Sequence, residues 1–422
     1  MTEGDRAAHD RVNQRPTPAD SAGRFARVRA FLASAFEQGS LANRRLVVGL
    51  GLIVGVACLS GINELRAYMP LGIDLEIPLR AVSHWAGGGQ AYPPSAMLVQ
   101  SGPDLPYLYP PFLLPLLSPI AALPRETVTD VWLIFCFLCA VWTCRRLAIP
   151  WFAIPFVLAW PPFAEGLITG NVQILSFAAF VALLCEPVAG TVRQRDFLAS
   201  RDALNGILAA AVGVLKVAQL LTVPYLARRR PWAAAIGLVA MAALAAATLP
   251  LTGIAIYGDW LDQLRRAADP AWTVGGVGLG RQVGIPDALP LIVAIVLALF
   301  VRGRDSVAWL GVALLIASPS VHGYSFLFLL PALLTIRRDV AIGIAALFIG
   351  RYHTDLWWVA GFLTVCTLVA ANRLPWLRLT GADAAGSRPD EAGPRPRGQD
   401  VPSPVRLPTE TGHAVRVAQK ND

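Results

Sequence analysis

The chain has 422 residues, 55% of them hydrophobic and 15% charged, with a mean hydropathy of +0.53 and a net charge of +8. Soluble domains carry about 25% charged and about 45–50% apolar residues. The composition therefore excludes an ordinary soluble enzyme, a disordered protein and a disulfide scaffold, and points to a polytopic membrane protein.

Residues 1–42, rich in Ala, Arg and Asp, read as a disordered cytoplasmic tail. The first apolar run starts near Leu46, too deep for a secretory signal. Apolar runs at 45–62, 128–144, 150–164, 171–186, 232–249, 288–301, 306–318, 324–336, 340–350 and 356–371 predict bilayer helices. Two stretches do not fit a regular span. Residues 107–123 carry Pro110, Pro111, Pro115 and Pro119, and residues 204–227 carry Lys216 at their centre. Residues 376–422, rich in Pro, Gly, Arg and Asp, read as a second disordered cytoplasmic tail, which leaves 43–375 as one membrane domain.

Arginine placement sets the topology. Breaks at Arg44-Arg45, Arg145-Arg146, 193–201, 228–230, 302–304, Arg337-Arg338 and from Arg373 onward are assigned to the cytoplasm. Parity then keeps 107–123 from crossing, as a re-entrant or interface-lying segment, and breaks 204–227 into two short helices near Lys216. The expectation is an all-α polytopic bundle of about twelve crossings with both tails cytoplasmic. The six cysteines, including the Cys136/Cys139 C-x-x-C, lie in or beside apolar stretches and read as apolar filling.

This topology gathers most non-arginine polar groups on the outer face. Asp74, just past the first helix, reads as a general base at the membrane rim or as a solvated loop acid. Glu76 shares its face only on a strand. Tyr109-Pro110-Pro111 is a rigid interface turn or an entry anchor. Trp85, Tyr92, Trp260 and Trp272 read as interfacial belt residues. Lys216, one of two lysines with Lys420, is an intramembrane cation. It partners a phosphate or snorkels to the interface. His322 binds a phosphate oxygen, orients a sugar hydroxyl or is a plain loop histidine. Asn171 and Gln173 bond a sugar or cap a helix. Arg281 and Gln282 follow the glycine-rich 274–280, which reads as a mobile outer loop able to close over substrate and lacks the dinucleotide-binding context. No HExxH, Walker or paired-histidine spacing occurs.

Taken in order, five features resemble glycosyltransferase family 87 of the GT-C superfamily over roughly residues 45–372. They are an acid after the first helix, a Tyr-Pro-Pro, a Gly-Asn/Gln tip, an isolated membrane lysine and a Ser-Pro-x-x-His-x-Tyr tip. The chain departs from the family pattern in three places: Asn171 and Gln173 are exchanged, Val321 replaces an aromatic residue, and Val217 follows the lysine. The resemblance implies Asp74 as catalytic base and Lys216, His322 and Arg281 around the donor phosphate. Tyr109, Asn171, Gln173 and Glu76 would contact substrate. It also implies a polyprenyl-phosphate sugar donor (mannose is the family-weighted choice) with no metal and no cofactor. The acceptor would be a lipid or glycan, met by single inverting displacement. The Arg-over-Lys and Ala-rich composition points to a GC-rich bacterial source, while the topology and the resemblance together imply a plasma-membrane enzyme with an extracytoplasmic site. The competing class is a lipid-linked sugar flippase, which needs no rim carboxylate and often shows internal symmetry; no such symmetry is visible. A structural or assembly membrane protein with no ligand is a further class, in which Lys216 and Asp74 would be dispensable.

Overall fold

The computed structural model describes residues 40–95, 105–188, 191–194, 202–267, 278–302, 305–349, 354–374 and 377. Both expected tails (apart from residues 40–42 and 377), Trp272, residues 274–277 and residues 351–353 lie outside them.

Helix α1 (Leu41–Tyr68) starts earlier than its apolar run because the Ser40 hydroxyl accepts the Asn43 N–H at 3.0 Å and caps it. It ends where Pro70 forces Met69 into extended geometry. Helix α2 (Ile73–Ala86) begins at Gly72 in the left-handed region, φ 74°. Behind Pro110 and Pro111, α3 (Leu113–Ala121) packs on α2. Its nine residues reach only about 14 Å, so it does not cross a bilayer, as the proline pattern requires. Helix α4 is Arg125–Arg146.

Helices α5 (Ile154–Ala159) and α6 (Pro161–Thr169) form a pair bent by 73°. The bend has a local cause: Pro161 excludes Trp160 from helical geometry, and Trp160 sits at φ −59°, ψ 129°. Gly170 then ends α6 in the left-handed region and α7 (Gln173–Leu184) follows. A short antiparallel hairpin, β1 (Cys185–Val188) with β2 (Thr191–Gln194), departs from the helical expectation. Pro187 lies on β1, and a proline there cannot continue α7.

Helix α8 (Asp202–Leu215) stops at Lys216, whose backbone is extended at φ −151°. A 3-10 turn (Val217–Leu221) and α9 (Thr222–Ala227) complete the broken pair expected there. The remaining helices are α10 (Pro231–Thr252), α11 (Ala255–Ala267), α12 (Leu279–Val283), α13 (Ala288–Phe300) and α14 (Ser306–Ile316). After them come a 3-10 turn (Gly323–Leu329), α15 (Leu330–Leu333), α16 (Arg338–Ala346) and α17 (Thr354–Arg373).

The apolar residues are arranged as in a bilayer protein. Phe163, Phe177, Phe180, Phe326, Phe328 and Phe348 pack edge-on and stacked at the centre. Large side chains such as Ile53, Val131, Val239 and Phe362 stay exposed on long helices. Helix α13 shows the logic within one element, with Ala294 and Ala298 turned inward and Ile292 and Val296 outward. Among the described residues, α1, α4 and α10 are long and apolar enough to cross a membrane, and the bent pair α5–α6 adds a fourth if counted as one span. The other apolar helices are shorter, 10–17 residues. Length and composition thus establish membrane helices but not the expected twelve crossings.

Candidate functional site

The site forms where α2, α6 and the 322–324 turn meet the break at Lys216. Two backbone turns set its frame. The Gly72 N–H donates to the Ile168 carbonyl at 2.9 Å, and Trp132 Nε1 donates to the Gly170 carbonyl at 2.7 Å. A Cβ on Gly170 would lie 3.4 Å from the Gly72 Cα, so the two left-handed glycines pack turn against turn. That contact brings the chain two residues past Gly72 against the chain one residue past Gly170. There Asn171 Nδ2 donates to Asp74 Oδ2 at 2.9 Å. The Asn171 Oδ1 in turn accepts the Gln173 N–H at 2.8 Å, and Gln219 Nε2 donates to Gln173 Oε1 at 3.1 Å. This chain of amides runs from Asp74 into the protein, with Asn171, Gln173 and Gln219 all buried.

On the opposite wall, the Lys216 ammonium lies 4.6 Å from the Tyr324 ring centre, a cation–π contact. The His322 ring stacks on the same tyrosine, at 5.1 Å between centres. The charges of Asp74 and Lys216 act on one another, and the Tyr109 hydroxyl lies within the field of Asp74. Asp74, Tyr109, Lys216 and His322 are each half-buried, so these four are the groups that a ligand can meet. Burial pushes the Asp74 carboxyl up from its ordinary value, and hydrogen bonds from Thr169 and Asn171 and the charge of Lys216 pull it back only in part.

An apolar groove of about 350 Å³ adjoins these residues. Leu75, Tyr109, Val172, Leu113, Trp132 and Phe135 line it, so it starts beside Asp74 and Asn171 and runs between α2, α3 and α4. Its wall is hydrocarbon, suited to an acyl or prenyl chain rather than to a sugar.

Of the residues expected from sequence, Asp74, Tyr109, Asn171, Gln173, Lys216 and His322 come together. Glu76 and Arg281 do not join these contacts. Glu76 lies two positions from Asp74 on a helix and so faces another way, where it pairs with Arg80 at 3.2 Å. Arg281 is engaged by Asp287 at 3.9 Å and donates to the Ala267 carbonyl at 3.1 Å. Trp260, read as an interfacial belt residue, donates to the Leu108 carbonyl at 3.0 Å and braces the approach to Tyr109. Sequence reading missed Glu165, Thr169 and Gln219, and gave Tyr324 only as the last residue of the Ser-Pro tip. Glu165 had a usable signal, an acid in the apolar run WPPFAEGLIT. Among the described residues, no group of three or more His, Cys, Asp or Glu is placed to hold a metal ion.

The family model described as glycosyltransferase family 87 matches residues 107–327, more than half of the chain. No curated protein and no solved structure matches.

Proposed function

Since the chain belongs to glycosyltransferase family 87 and is a membrane glycosyltransferase, we propose that it moves a hexosyl group, mannosyl by preference, from a polyprenyl-phosphate sugar to a lipid-linked or glycan acceptor. The reaction takes place at the outer face of a bacterial plasma membrane, in a GT-C bundle of about twelve crossings that keeps the arginine-rich breaks inside. One arrangement supports this reading: Asp74 is held by Asn171, Lys216 and His322 both contact the Tyr324 ring, and a hydrocarbon groove lined by Leu75, Tyr109 and Val172 adjoins them.

The chemistry follows from that set. Asp74 accepts the proton of an acceptor hydroxyl. The hydroxyl oxygen bonds to the anomeric carbon as the carbon–oxygen bond to phosphate breaks, with inversion. The bonding electron pair leaves on the phosphate oxygen, giving polyprenyl phosphate, glycoside and protonated Asp74. Charge grows on the leaving phosphate, where Lys216 stabilises it and His322 offers a further hydrogen bond. The buried amide chain from Asn171 to Gln219 fixes the carboxylate. The groove takes a lipid chain, which explains a site at bilayer level. A monophosphate leaving group beside a fixed cation has little need of a divalent ion. Transfer at an undiminished rate in excess chelator is the expected result.

The decisive experiment is transfer by purified protein from polyprenyl-phosphate mannose, with wild type and Asp74→Asn compared. A general base contributes about 10²–10⁴-fold, so the variant should lose that much. Equal product from both proteins removes Asp74 as base. No product from wild type with any polyprenyl-phosphate hexose leaves a flippase as the better reading.

A further inference from the structure

A second hydrophobic cluster lies apart from the central phenylalanines, where α2, α3 and α11 meet. Its tyrosine rings touch in series, Tyr92 and Tyr107 at 5.4 Å between centres and Tyr107 and Tyr109 at 5.5 Å. The segment through Tyr107, Leu108 and Tyr109 belongs to no helix or strand. Pro110 and Pro111 follow it, offer no N–H and favour extended backbone at Tyr109. Tyr107 and Pro110 are nevertheless buried, and irregular backbone that leaves water must find its hydrogen bonds elsewhere. Three successive carbonyls find them on side chains. The Leu108 carbonyl accepts Trp260 Nε1 at 3.0 Å, and the Tyr109 carbonyl accepts the Tyr92 hydroxyl at 2.7 Å. Gln263 Nε2 reaches the Tyr107 carbonyl at 3.5 Å, the longest and weakest of the three.

Trp260 and Gln263 lie one turn apart on one face of α11, while Asp259, Asp262, Arg265 and Arg266 are exposed on the other. The amphipathic helix thus turns its hydrogen-bond donors onto the segment that carries Tyr109. Tyr109 in turn lines the apolar groove beside Leu75 and Val172, the chain neighbours of Asp74 and Asn171. We propose that Trp260 is a positioning residue that acts through Tyr109. Its indole fixes the Leu108 carbonyl while Tyr92 fixes the next one. The peptide before the paired prolines then has one orientation, and the Tyr109 ring has one place in the groove wall. A lipid chain in the groove meets that ring at the end nearest Asp74. The consequence for substrate rests on the transferase reading; the brace itself does not.

The test uses the full chain in detergent micelles. Trp260→Phe keeps an aromatic ring and removes the N–H. Tyr92→Phe removes the hydroxyl on the neighbouring carbonyl from a different part of the chain, and carries the same tests should Trp260→Phe not fold. The Leu113 and Leu114 amides bond to the Pro110 and Pro111 carbonyls, so hydrogen–deuterium exchange over residues 107–117 reports on the segment. Exchange there should speed up in both variants and stay as in wild type in Asp262→Asn, on the exposed face of α11. With polyprenyl-phosphate mannose as donor, Trp260→Phe should raise donor KM on the order of fivefold, the loss of one hydrogen bond, with a smaller change in kcat. In a Tyr109→Ala background the ring is already gone, and the same substitution should change donor KM by less than about twofold. An unchanged donor KM, equal rises in both backgrounds, or unchanged exchange overturns the proposal. A wild-type chain that transfers no sugar overturns the transferase reading alone, and the exchange measurement then decides the brace.

Discussion

Gly72→Ala tests how the backbone places the carboxylate. Gly72 has φ 74°, and an added Cβ would meet Thr129 Cγ2 at 2.5 Å. Holding alanine in the left-handed region costs about 1–2 kcal/mol. The overlap adds the usual overpacking cost of about 1–3 kcal/mol. Restoring ordinary contact distance requires the turn to move by roughly 1 Å. Asp74 lies two residues on and rides with that turn. A displacement of about 1 Å at a reacting group costs on the order of 10²-fold in rate. The variant should therefore bind donor normally, transfer about 10²-fold more slowly, and unfold at a lower temperature. Thr129→Ala deletes the colliding methyl group, leaving the Thr129 Cβ at an ordinary 3.7 Å. The Gly72→Ala/Thr129→Ala double variant should regain most of the rate while keeping the backbone penalty in stability. The assay is initial transfer rate beside a thermal melt of each protein. A single variant as fast as wild type, or a double variant no faster than the single, refutes the argument that this turn aims Asp74.

Because burial raises the Asp74 pKa, the acid limb of kcat/KM should lie above the ordinary carboxylate value of about 3.9, with rate lost as pH falls through it. Lys216 and Asn171 both pull that pKa down, so Lys216→Met and Asn171→Ala should each move the limb to higher pH, and a move to lower pH contradicts the assignment. Lys216→Arg keeps the charge but replaces a compact ammonium over Tyr324 with a planar fork. Donor KM should rise about tenfold, and wild-type KM would show that charge alone suffices. Outside the contacts described for the site, Arg337 and Asp339 form a buried pair at 2.7 Å. Asp339→Ala removes the carboxylate that pairs with the buried arginine and should cost about 3–5 kcal/mol in stability, with donor KM unaltered; a chain as stable as wild type would place that pair in contact with water.

Much of this protein was legible in its residue pattern, because membrane burial and chain breaks are local properties. The prolines at 110, 111, 115 and 119 rule out a span in 107–123, and α3 is indeed short. A lysine in the middle of AVGVLKVAQLL marks a break, and the helix stops at Lys216. The chemically suggestive residues stood out as polar groups at the ends of apolar runs (Asp74, Asn171 and His322) or within one (Lys216).

What the pattern left open depends on partners distant in the chain. Asp74 and Glu76 are alike in sequence, and only the phase of α2 turns one toward Asn171 and the other toward Arg80. Arg281 was read as a phosphate ligand, and only tertiary packing sets it beside Asp287 and the Ala267 carbonyl. Glu165 could not be ranked from its own neighbours, since it packs against Gly323, far along the chain. Composition and periodicity determine which segments leave water, since that preference acts residue by residue. Only tertiary packing decides which buried polar groups face one another, because each such pairing joins segments that no local signal connects.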